Sequence, residues 1–192
     1  MSTFSHKLII ITAPSGAGKT SIVKHLLSAL PRQLGFSVSC ATRSPRAAEK
    51  EGVDYYFITP EEFKERIDNG EFVEWEMVYQ EKYYGTLRSE LERIWDQQKV
   101  PLLDIDVQGG LRIKEQYPQS LSLFIEPPSM EVLRERLTAR GTETPLSQQM
   151  RLEKANEECR YRDRFDHLII NDQLDRACAE ALALVREYLI TP

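Results

Sequence analysis

The chain has 192 residues, 41% of them hydrophobic, and a formal net charge of −5. Its length and apolar content suit one domain with a buried core, and its negative balance disfavours nucleic-acid binding through bulk charge. Cys40, Cys159 and Cys178 have neither a CxxC nor a metal-site spacing, so we interpret them as free thiols of a cytoplasmic protein. The apolar run LIII near the N-terminus is short, so we expect neither a signal peptide nor a membrane span.

Strand-like and helical patterns alternate along most of the chain. Apolar runs typical of buried strands occupy residues 7–12, 36–40, 101–106, 121–125 and 167–170. Helical patterns occupy residues 20–30, 88–97, 129–139, 146–161 and 174–188. This alternation predicts an α/β domain with a parallel sheet covered on both faces, a three-layer arrangement.

The segment 13–20, APSGAGKT, lies between the first predicted strand and the first predicted helix. It fits the phosphate-loop pattern GxxxxGKS/T, except that alanine replaces the first glycine. Small residues let backbone N–H groups converge on a phosphate at a helix N-terminus, where Lys19 adds charge and Thr20 offers a hydroxyl to Mg²⁺. A chance GKT in an ordinary turn is the alternative, but the strand–loop–helix context favours a nucleoside triphosphate site, with ATP as the default ligand.

Two arginines precede a segment that interrupts the α/β rhythm. Arg43 and Arg46 flank a Ser-Pro dipeptide, which biases the chain to an extended form. Two guanidinium groups held in this way suit a phosphate dianion, although arginines on loops are commonly solvated. In the tyrosine pairs at 55–56 and 83–84, we expect one ring in the core and the other at the ligand.

Residues 54–86 contain three strand-like pieces (DYYFIT, EFVEWEMV and YYGT) around a short helix. Thr59, Pro60 and Glu62 give that helix a capping box with proline in its first turn. Alternation in EFVEWEMV places one set of side chains, Phe72, Glu74, Glu76 and Val78, opposite the set Val73, Trp75 and Met77. We therefore predict a small, antiparallel, β-rich insert on the α/β core.

The predicted strand at 101–106 ends with two carboxylates, Asp104 and Asp106, which a strand would place on one face. Buried carboxylates need a cation or hydrogen-bond donors, and ligands of α/β sheets collect at the carboxyl ends of the strands. We predict that these residues serve either the magnesium shell or a second substrate. The alternative is a strand that simply runs into solvent.

Several segments together resemble guanylate kinases. SGAGKTS, FSVSCATRSPRAAEKEGVDYYF, GEFVEW, YYGT, LDIDVQG, RLTARGTET and LIIND occur in the order and spacing of that family over nearly the whole chain. The resemblance implies phosphoryl transfer from MgATP to GMP, giving ADP and GDP, in purine nucleotide metabolism. It also implies a core (1–36, 87–135 and 162–192), a mobile GMP-binding region (37–86) and a lid (136–161).

The resemblance further implies roles for individual residues. Guanine is read by Ser39, Glu74, Thr86 and Asp106, and the GMP phosphate is held by Arg43, Arg46, Tyr55 and Tyr84, with Glu49 orienting the arginines. The ATP site comprises Ala13, Pro14, Ser15, Gly16, Ala17, Gly18, Lys19, Thr20, Ser21 and Asn171. Asp104 lies between the substrates and reaches the Mg²⁺ bound by Thr20 through water. Arg136, Arg140 and Arg151 cover the ATP phosphates and act with Lys19, Arg43 and Asp104 in catalysis.

The residue chemistry is consistent with this reaction. Guanine offers a ring N–H and an amine to one carboxylate, and hydroxyl groups can donate to its carbonyl oxygen. The acceptor is already an anionic phosphate oxygen, so alignment and cations must supply the rate. The implied partners are ATP and GMP, with dGMP as a further acceptor to test, and neither nucleic acid nor membrane.

Two other functions share parts of this pattern. An inactive guanylate-kinase-like interaction module is disfavoured by the intact Lys19, Thr20 and arginines, and a kinase for another phosphorylated acceptor is disfavoured by the guanine-reading set. The arginines in EVLRERLTAR also fit a solvated helix face. Three features depart from the family pattern: Ala48 in place of a glycine, Pro145 early in the lid, and a turn before Tyr83 that is one residue longer. The longer turn leaves the register of the following strand open.

Overall fold

The strands of the protein form two separate sheets. A computed structural model describes residues 7–46, 48–79, 81–139 and 145–191. The strands are β1 (Ile9–Thr12), β2 (Leu34–Ser37), β3 (Ser39–Ala41), β4 (Tyr55–Phe57), β5 (Phe72–Tyr79), β6 (Lys82–Leu87), β7 (Val100–Asp104), β8 (Leu121–Glu126) and β9 (His167–Ile170). The helices are α1 (Lys19–Ala29), α2 (Pro60–Asp68), α3 (Arg88–Asp96), α4 (Val107–Gln116), α5 (Met130–Ala139), α6 (Pro145–Cys159) and α7 (Leu174–Ile190), with a 3-10 turn at Arg162–Arg164.

The first sheet is parallel, with the strand order β2-β7-β1-β8-β9. Its central strand β1 is a fully buried run of β-branched residues, typical of a strand covered on both faces. Ile9 and Ile11 pack among apolar residues of α1 and α7, whereas Ile10 packs with residues of α3 and α4 on the other face. Each such buried side chain contributes about 1.5–3 kcal/mol relative to exposure. The predicted three-layer α/β core is confirmed.

The second sheet has the order β4-β3-β6-β5, in which β6 pairs antiparallel with both β3 and β5. Beside it, α2 begins as expected, because the hydroxyl of Thr59 accepts a hydrogen bond from the Glu62 N–H (3.1 Å). Phe63 of α2 stacks on Phe72 with 4.3 Å between ring centroids. The predicted β-rich insert therefore has a small core of its own, formed by Cys40, Phe63, Phe72 and Leu87.

Two predicted strands are wrong at their carboxyl ends. The run 36–40 is two strands, since β2 ends at Ser37 in the first sheet and β3 starts at Ser39 in the second. The run 101–106 ends at Asp104, so Asp106 does not share a strand face with it. Instead Asp106 caps α4, a helix that the sequence analysis did not predict, and its carboxylate accepts the Gly109 N–H (2.8 Å).

The predicted face alternation of β5 fails at Phe72. The β5–β6 register shifts between Phe72 and Glu74, which indicates a bulge. Phe72 consequently stacks on Phe63, whose ring also stacks on Tyr83, and does not share the face of Glu74. Trp75 and Met77 are exposed, whereas Val73 of the same predicted set is buried.

A buried carboxylate joins the two sheets. Glu90 of α3 is 3% exposed, and its Oε1 accepts the backbone N–H of Val38, the residue between β2 and β3 (3.0 Å). Its Oε2 accepts the hydroxyl of Tyr56 in β4 (3.2 Å), and Arg93 donates to both oxygens. Since β6 runs directly into α3, Glu90 lies at both points where the chain crosses between the sheets. Within the described ranges, no helix is long and apolar enough to cross a membrane.

We predict that Glu90→Ala lowers the free energy of unfolding by about 2–3 kcal/mol, because the Val38 N–H and Tyr56 hydroxyl lose a buried acceptor. Urea denaturation measures the change. The matched control is Glu92→Ala, which removes an exposed glutamate from the same helix and should change stability by less than about 0.5 kcal/mol. Equal denaturation midpoints for the two variants would contradict this role of Glu90.

Candidate active site

A cleft of about 360 Å³ lies between the carboxyl edge of the first sheet, the second sheet and α6. The predicted site residues that line it are Ala13, Pro14, Ser15, Gly16, Gly18, Lys19, Thr20, Ser21, Ser39, Arg43, Arg46, Tyr55, Glu74, Tyr84, Asp104, Asp106 and Arg151. Five other predicted site residues do not line the cleft, but they contact residues that line it or residues that hold those in place: Ala17, Glu49, Thr86, Arg136 and Asn171. Arg140 lies outside the described residues.

The loop from β1 to α1 depends on glycine and on a buried amide. Gly16 and Gly18 both have φ of 99°, a left-handed conformation that is strained for any residue with a side chain. A side chain at Gly18 would also collide with the amide of Asn171, whose Nδ2 donates to the Ala17 carbonyl oxygen (2.7 Å). No side-chain cap is found at the N-terminus of α1 in the described chain. The first N–H groups of α1 therefore suit an anion in the cleft.

Lys19 and Asp104 form an ion pair at the base of the cleft. The ammonium group of Lys19 also donates to the carbonyl oxygen of Ile105 (2.8 Å). Both side chains are about one-fifth exposed, so they remain accessible from the cleft. The pair places one cation and one carboxylate where the first sheet meets the phosphate loop.

The acceptor-side arginine is held in a network of contacts. Arg43 makes two hydrogen bonds to Glu49 (2.5 and 2.7 Å), and its Nε donates to the Tyr84 hydroxyl (3.1 Å). Its guanidinium lies 5.0 Å from the ring centre of Tyr55. Glu49 also accepts the backbone N–H of Arg46 (2.8 Å). Hydrogen bonds from Arg43 lower the pKa of Glu49 to about 2, and those from Glu49 raise the pKa of Arg43.

The predicted division of the tyrosine pairs is found in the structure. Tyr55 and Tyr84 line the cleft, whereas Tyr56 and Tyr83 pack beside the small core of the second sheet. The strand register that the sequence left open is given by the pairing of β5 with β6, which has an irregularity between residues 77 and 79. Thr86 consequently pairs with Glu74.

Glu74 is a buried carboxylate facing the cleft. It is 6% exposed, and its Oε1 accepts the hydroxyl of Thr86 (2.7 Å). Burial raises the pKa of Glu74 to about 7, and the nearby charge of Asp106 adds to this effect. A side chain at Gly109 would place its Cβ 2.7 Å from Oε2 of Glu74, so the Glu74 carboxylate would have to shift from its position.

Two arginines of the segment predicted to be a lid contact the phosphate-loop side of the cleft. Arg151 of α6 donates to the hydroxyl of Ser15 (2.8 Å), and Arg136 of α5 donates to the carbonyl oxygen of Asn171 (2.8 Å). Three charged residues of the wall are not among the predicted site residues: Glu76, Lys154 and Glu158. A signal was present, since Glu76 follows Glu74 by two positions on a strand, and Lys154 and Glu158 follow Arg151 by helical spacing.

The arrangement combines cations and carboxylates in one cleft. Positive groups from the phosphate loop, the arginine segment and α6 suit two anionic phosphate groups. Glu74 and Asp106 are acceptors that suit a ligand edge carrying hydrogen-bond donors. The cleft could therefore align two phosphorylated ligands, one of which is recognised by its donors.

The chain matches the family model described as "Guanylate kinase" over residues 5–188. It is 47% identical to the guanylate kinase of Bacteroides thetaiotaomicron over 184 residues, 95% of this chain and 90% of that protein. It is 48% identical to the guanylate kinase of Porphyromonas gingivalis over 184 residues, 95% and 98% respectively. The crystal structure of guanylate kinase from Anaplasma phagocytophilum matches with a TM-score of 0.74 at 30% identity, covering 96% of this chain and 86% of that one.

We predict that Glu74→Gln reduces the pH dependence of stability between about pH 4.5 and 7. In that window the folded protein keeps a proton on Glu74 (pKa about 7) that the unfolded chain, with an ordinary value of 4.5, has released. Stability of the wild type therefore falls as pH rises, and glutamine removes this part of the slope. Urea denaturation at several pH values measures this slope. Parallel plots of the free energy of unfolding against pH for the two proteins would contradict the prediction.

Proposed function

The chain belongs to the guanylate kinase family, and from this premise we propose that it transfers the γ-phosphoryl group of ATP to GMP, giving ADP and GDP. The observation that carries the proposal is the continuous cleft that joins the phosphate loop to the Arg43 network and Glu74. A donor phosphate and an acceptor phosphate bound in such a cleft would lie close together. Proximity of this kind is a major source of rate in phosphoryl transfer.

The donor end of the cleft is proposed to bind the ATP phosphates. The segment 13–21 presents the N-terminus of α1, and Lys19 adds a positive charge. We propose that Asn171 acts by supporting this loop, because its amide bonds to the loop backbone. Arg136 and Arg151, together with Arg140 beyond the described residues, are proposed to cover the phosphates.

Magnesium is proposed to arrive with ATP. Among the described residues, no group of three or more His, Cys, Asp or Glu could hold a metal ion. The hydroxyl of Thr20 and the carboxylate of Asp104 are oxygen donors on the cleft wall. One or two such donors suit Mg²⁺, which retains waters and binds substrate phosphates. When bound, the ion would offset the charge of the phosphate groups.

The acceptor end is proposed to hold GMP. Arg43 has five N–H donors. Within the described residues, four of them bond to Tyr84, to the Ser44 carbonyl and twice to Glu49, which leaves one for a ligand. We propose that this N–H, the Arg46 guanidinium and the hydroxyls of Tyr55 and Tyr84 bind the GMP phosphate.

Guanine is proposed to bind on the opposite side, against a set of acceptors and hydroxyls: Ser39, Glu74, Thr86 and Asp106. The carboxylate of Glu74 can accept both donors of the guanine edge. Those donors would replace the hydration that burial denies to Glu74.

The transfer itself needs little covalent assistance. An oxygen of the GMP phosphate attacks the γ-phosphorus of ATP, the bond to the β–γ bridging oxygen breaks, and its electron pair leaves with ADP. Lys19 and the arginines are proposed to stabilise the charge on the moving phosphoryl group. Asp104 is proposed to lie between the substrates, since it is paired with Lys19 at the base of the cleft.

We also propose that the chain works as three parts: a core (1–36, 87–135 and 162–192), a GMP-binding region (37–86) and a lid (136–161). The proposed boundary at 37 lies at the last residue of β2, before the passage to β3, and that at 86 lies one residue before the end of β6. A cytoplasmic location is proposed as well, supported by the free thiols of Cys40, Cys159 and Cys178. Neither nucleic acid nor membrane is part of the proposal.

The direct test is a coupled assay of ADP release with GMP, dGMP, AMP, CMP and UMP as acceptors. We expect GMP to be used with the highest kcat/KM.

We also predict that Lys19→Ala nearly abolishes turnover without unfolding the protein, because the phosphates lose a charge-assisted contact. Lys24→Ala, an exposed lysine of the same helix, is the control. A folded Lys19→Ala protein with most of its activity would overturn the donor site.

A further prediction concerns the choice of base. Glu74→Gln should lower kcat/KM for GMP roughly 10- to 100-fold, because a charge-assisted pair of hydrogen bonds is lost. It should also narrow the preference for GMP over AMP, since an amide both donates and accepts, while ATP affinity stays unchanged. Parallel kinetics with GMP and AMP measure this. Glu65→Gln, which removes an exposed glutamate of α2 outside the cleft, is the control and should preserve the preference.

A further inference from the structure

Three charged residues of α6 form a stripe along the cleft. Arg151, Lys154 and Glu158 all line it, and their spacing of three and four positions places them on one helix face. At 1.5 Å of rise per residue, Lys154 lies about 4.5 Å along the axis from Arg151 and about 6 Å from Glu158. The stripe therefore presents two cations followed by a carboxylate.

The two ends of the stripe lie beside different parts of the site. Arg151 donates to Ser15 of the phosphate loop. At the other end, the carboxylate of Glu158 is close enough to Asp106 and Lys19 for their charges to act on it. Lys154 consequently lies between the proposed ATP phosphate site and Asp106, which is proposed to contact guanine.

The contact between Lys154 and Glu158 leaves the ammonium group available to a ligand. Nζ of Lys154 is 3.6 Å from Oε1 of Glu158, longer than a good hydrogen bond. The lysine side chain is 42% exposed, whereas that of Glu158 is 11% exposed. Burial raises the pKa of Glu158 to about 7, and the charge of Lys154 only partly opposes this. The buried side chain of Glu158 is thus fixed, and the accessible side chain of Lys154 can turn toward the cleft.

We propose that Lys154 is a further substrate-binding residue, whose ammonium group contacts the terminal phosphate groups of the bound nucleotides while Glu158 positions it. The inference rests on the proposed kinase activity and extends it to a residue outside the predicted site. A lysine at this position adds positive charge beside the proposed path of the phosphoryl group, where charge stabilisation accelerates transfer.

A purely structural role makes different predictions. If Lys154 only compensates the charge of Glu158, then Lys154→Gln should destabilise the fold without changing kinetics in the folded enzyme. Adding Glu158→Gln would then remove the defect, because the uncompensated carboxylate is gone. If Lys154 binds phosphate, the double variant regains stability but not rate.

The experiment compares Lys154→Gln, Lys154→Arg, Glu158→Gln, the double variant and Lys24→Gln, a control that removes an exposed lysine from α1. Each protein is assayed for kcat/KM with ATP and GMP and for its free energy of unfolding in urea. We expect Lys154→Gln to lower kcat/KM roughly tenfold, Lys154→Arg to recover most of it, and Glu158→Gln to raise the KM of ATP with a smaller loss. Lys24→Gln should match the wild type.

The inference is overturned if folded Lys154→Gln matches the wild type, if the double variant regains the lost rate, or if Lys24→Gln loses as much as Lys154→Gln. These outcomes differ from failure of the proposed function. If the proposed function fails, the wild-type protein itself does not phosphorylate GMP, whatever residue stands at position 154.

Discussion

The hydrogen bond from the Val38 N–H to the Glu90 carboxylate (3.0 Å) fixes the point where the chain leaves the first sheet for the second. The phosphate loop belongs to the first sheet, and the Arg43 network follows the second. The geometry of the cleft therefore depends on how these sheets are joined. A buried carboxylate with backbone, hydroxyl and guanidinium partners makes this junction specific, since any partner that moves away leaves an unpaired polar group.

The cleft shows how environment sets the charge of chemically identical groups. Glu49 has a pKa near 2 because Arg43 donates two hydrogen bonds to it. Glu74 and Glu158 have pKa values near 7 because burial removes their hydration. The first carboxylate has a permanent structural partner. The other two have incomplete compensation, which is the condition under which a ligand with donors or cations gains most by binding.

Local sequence patterns predicted the parts of the structure that are formed locally. The phosphate loop at 13–20 and the cap at Thr59 were predicted because a few consecutive residues determine each of them. The parallel core followed from the alternation of apolar runs. The split at Val38 was missed because an apolar run shows that a segment is buried and extended but does not show to which sheet it belongs.

The charged wall formed by α6 was missed for a related reason. Arg151, Lys154 and Glu158 share a helix face that an isolated helix would leave in solvent, and amphipathic spacing alone cannot tell a solvated face from the wall of a cleft. Tertiary packing supplies that information, because α6 lies across the phosphate loop at Ser15. The sequence therefore shows which charges are aligned, and the fold shows what they face.

The start of α4 shows why the sequence misleads where structure and function share residues. Two consecutive glycines lower helix propensity, so the segment after Asp106 does not look helical. In the structure, the N–H of Gly109 bonds to Asp106, and its missing side chain lets the backbone approach Glu74. The N-terminal end of a helix carries partial positive charge, which favours carboxylates placed there. The glycine that weakens the helix thus leaves room for the Glu74 carboxylate in the position it occupies, and this closeness is visible only once both segments are in place.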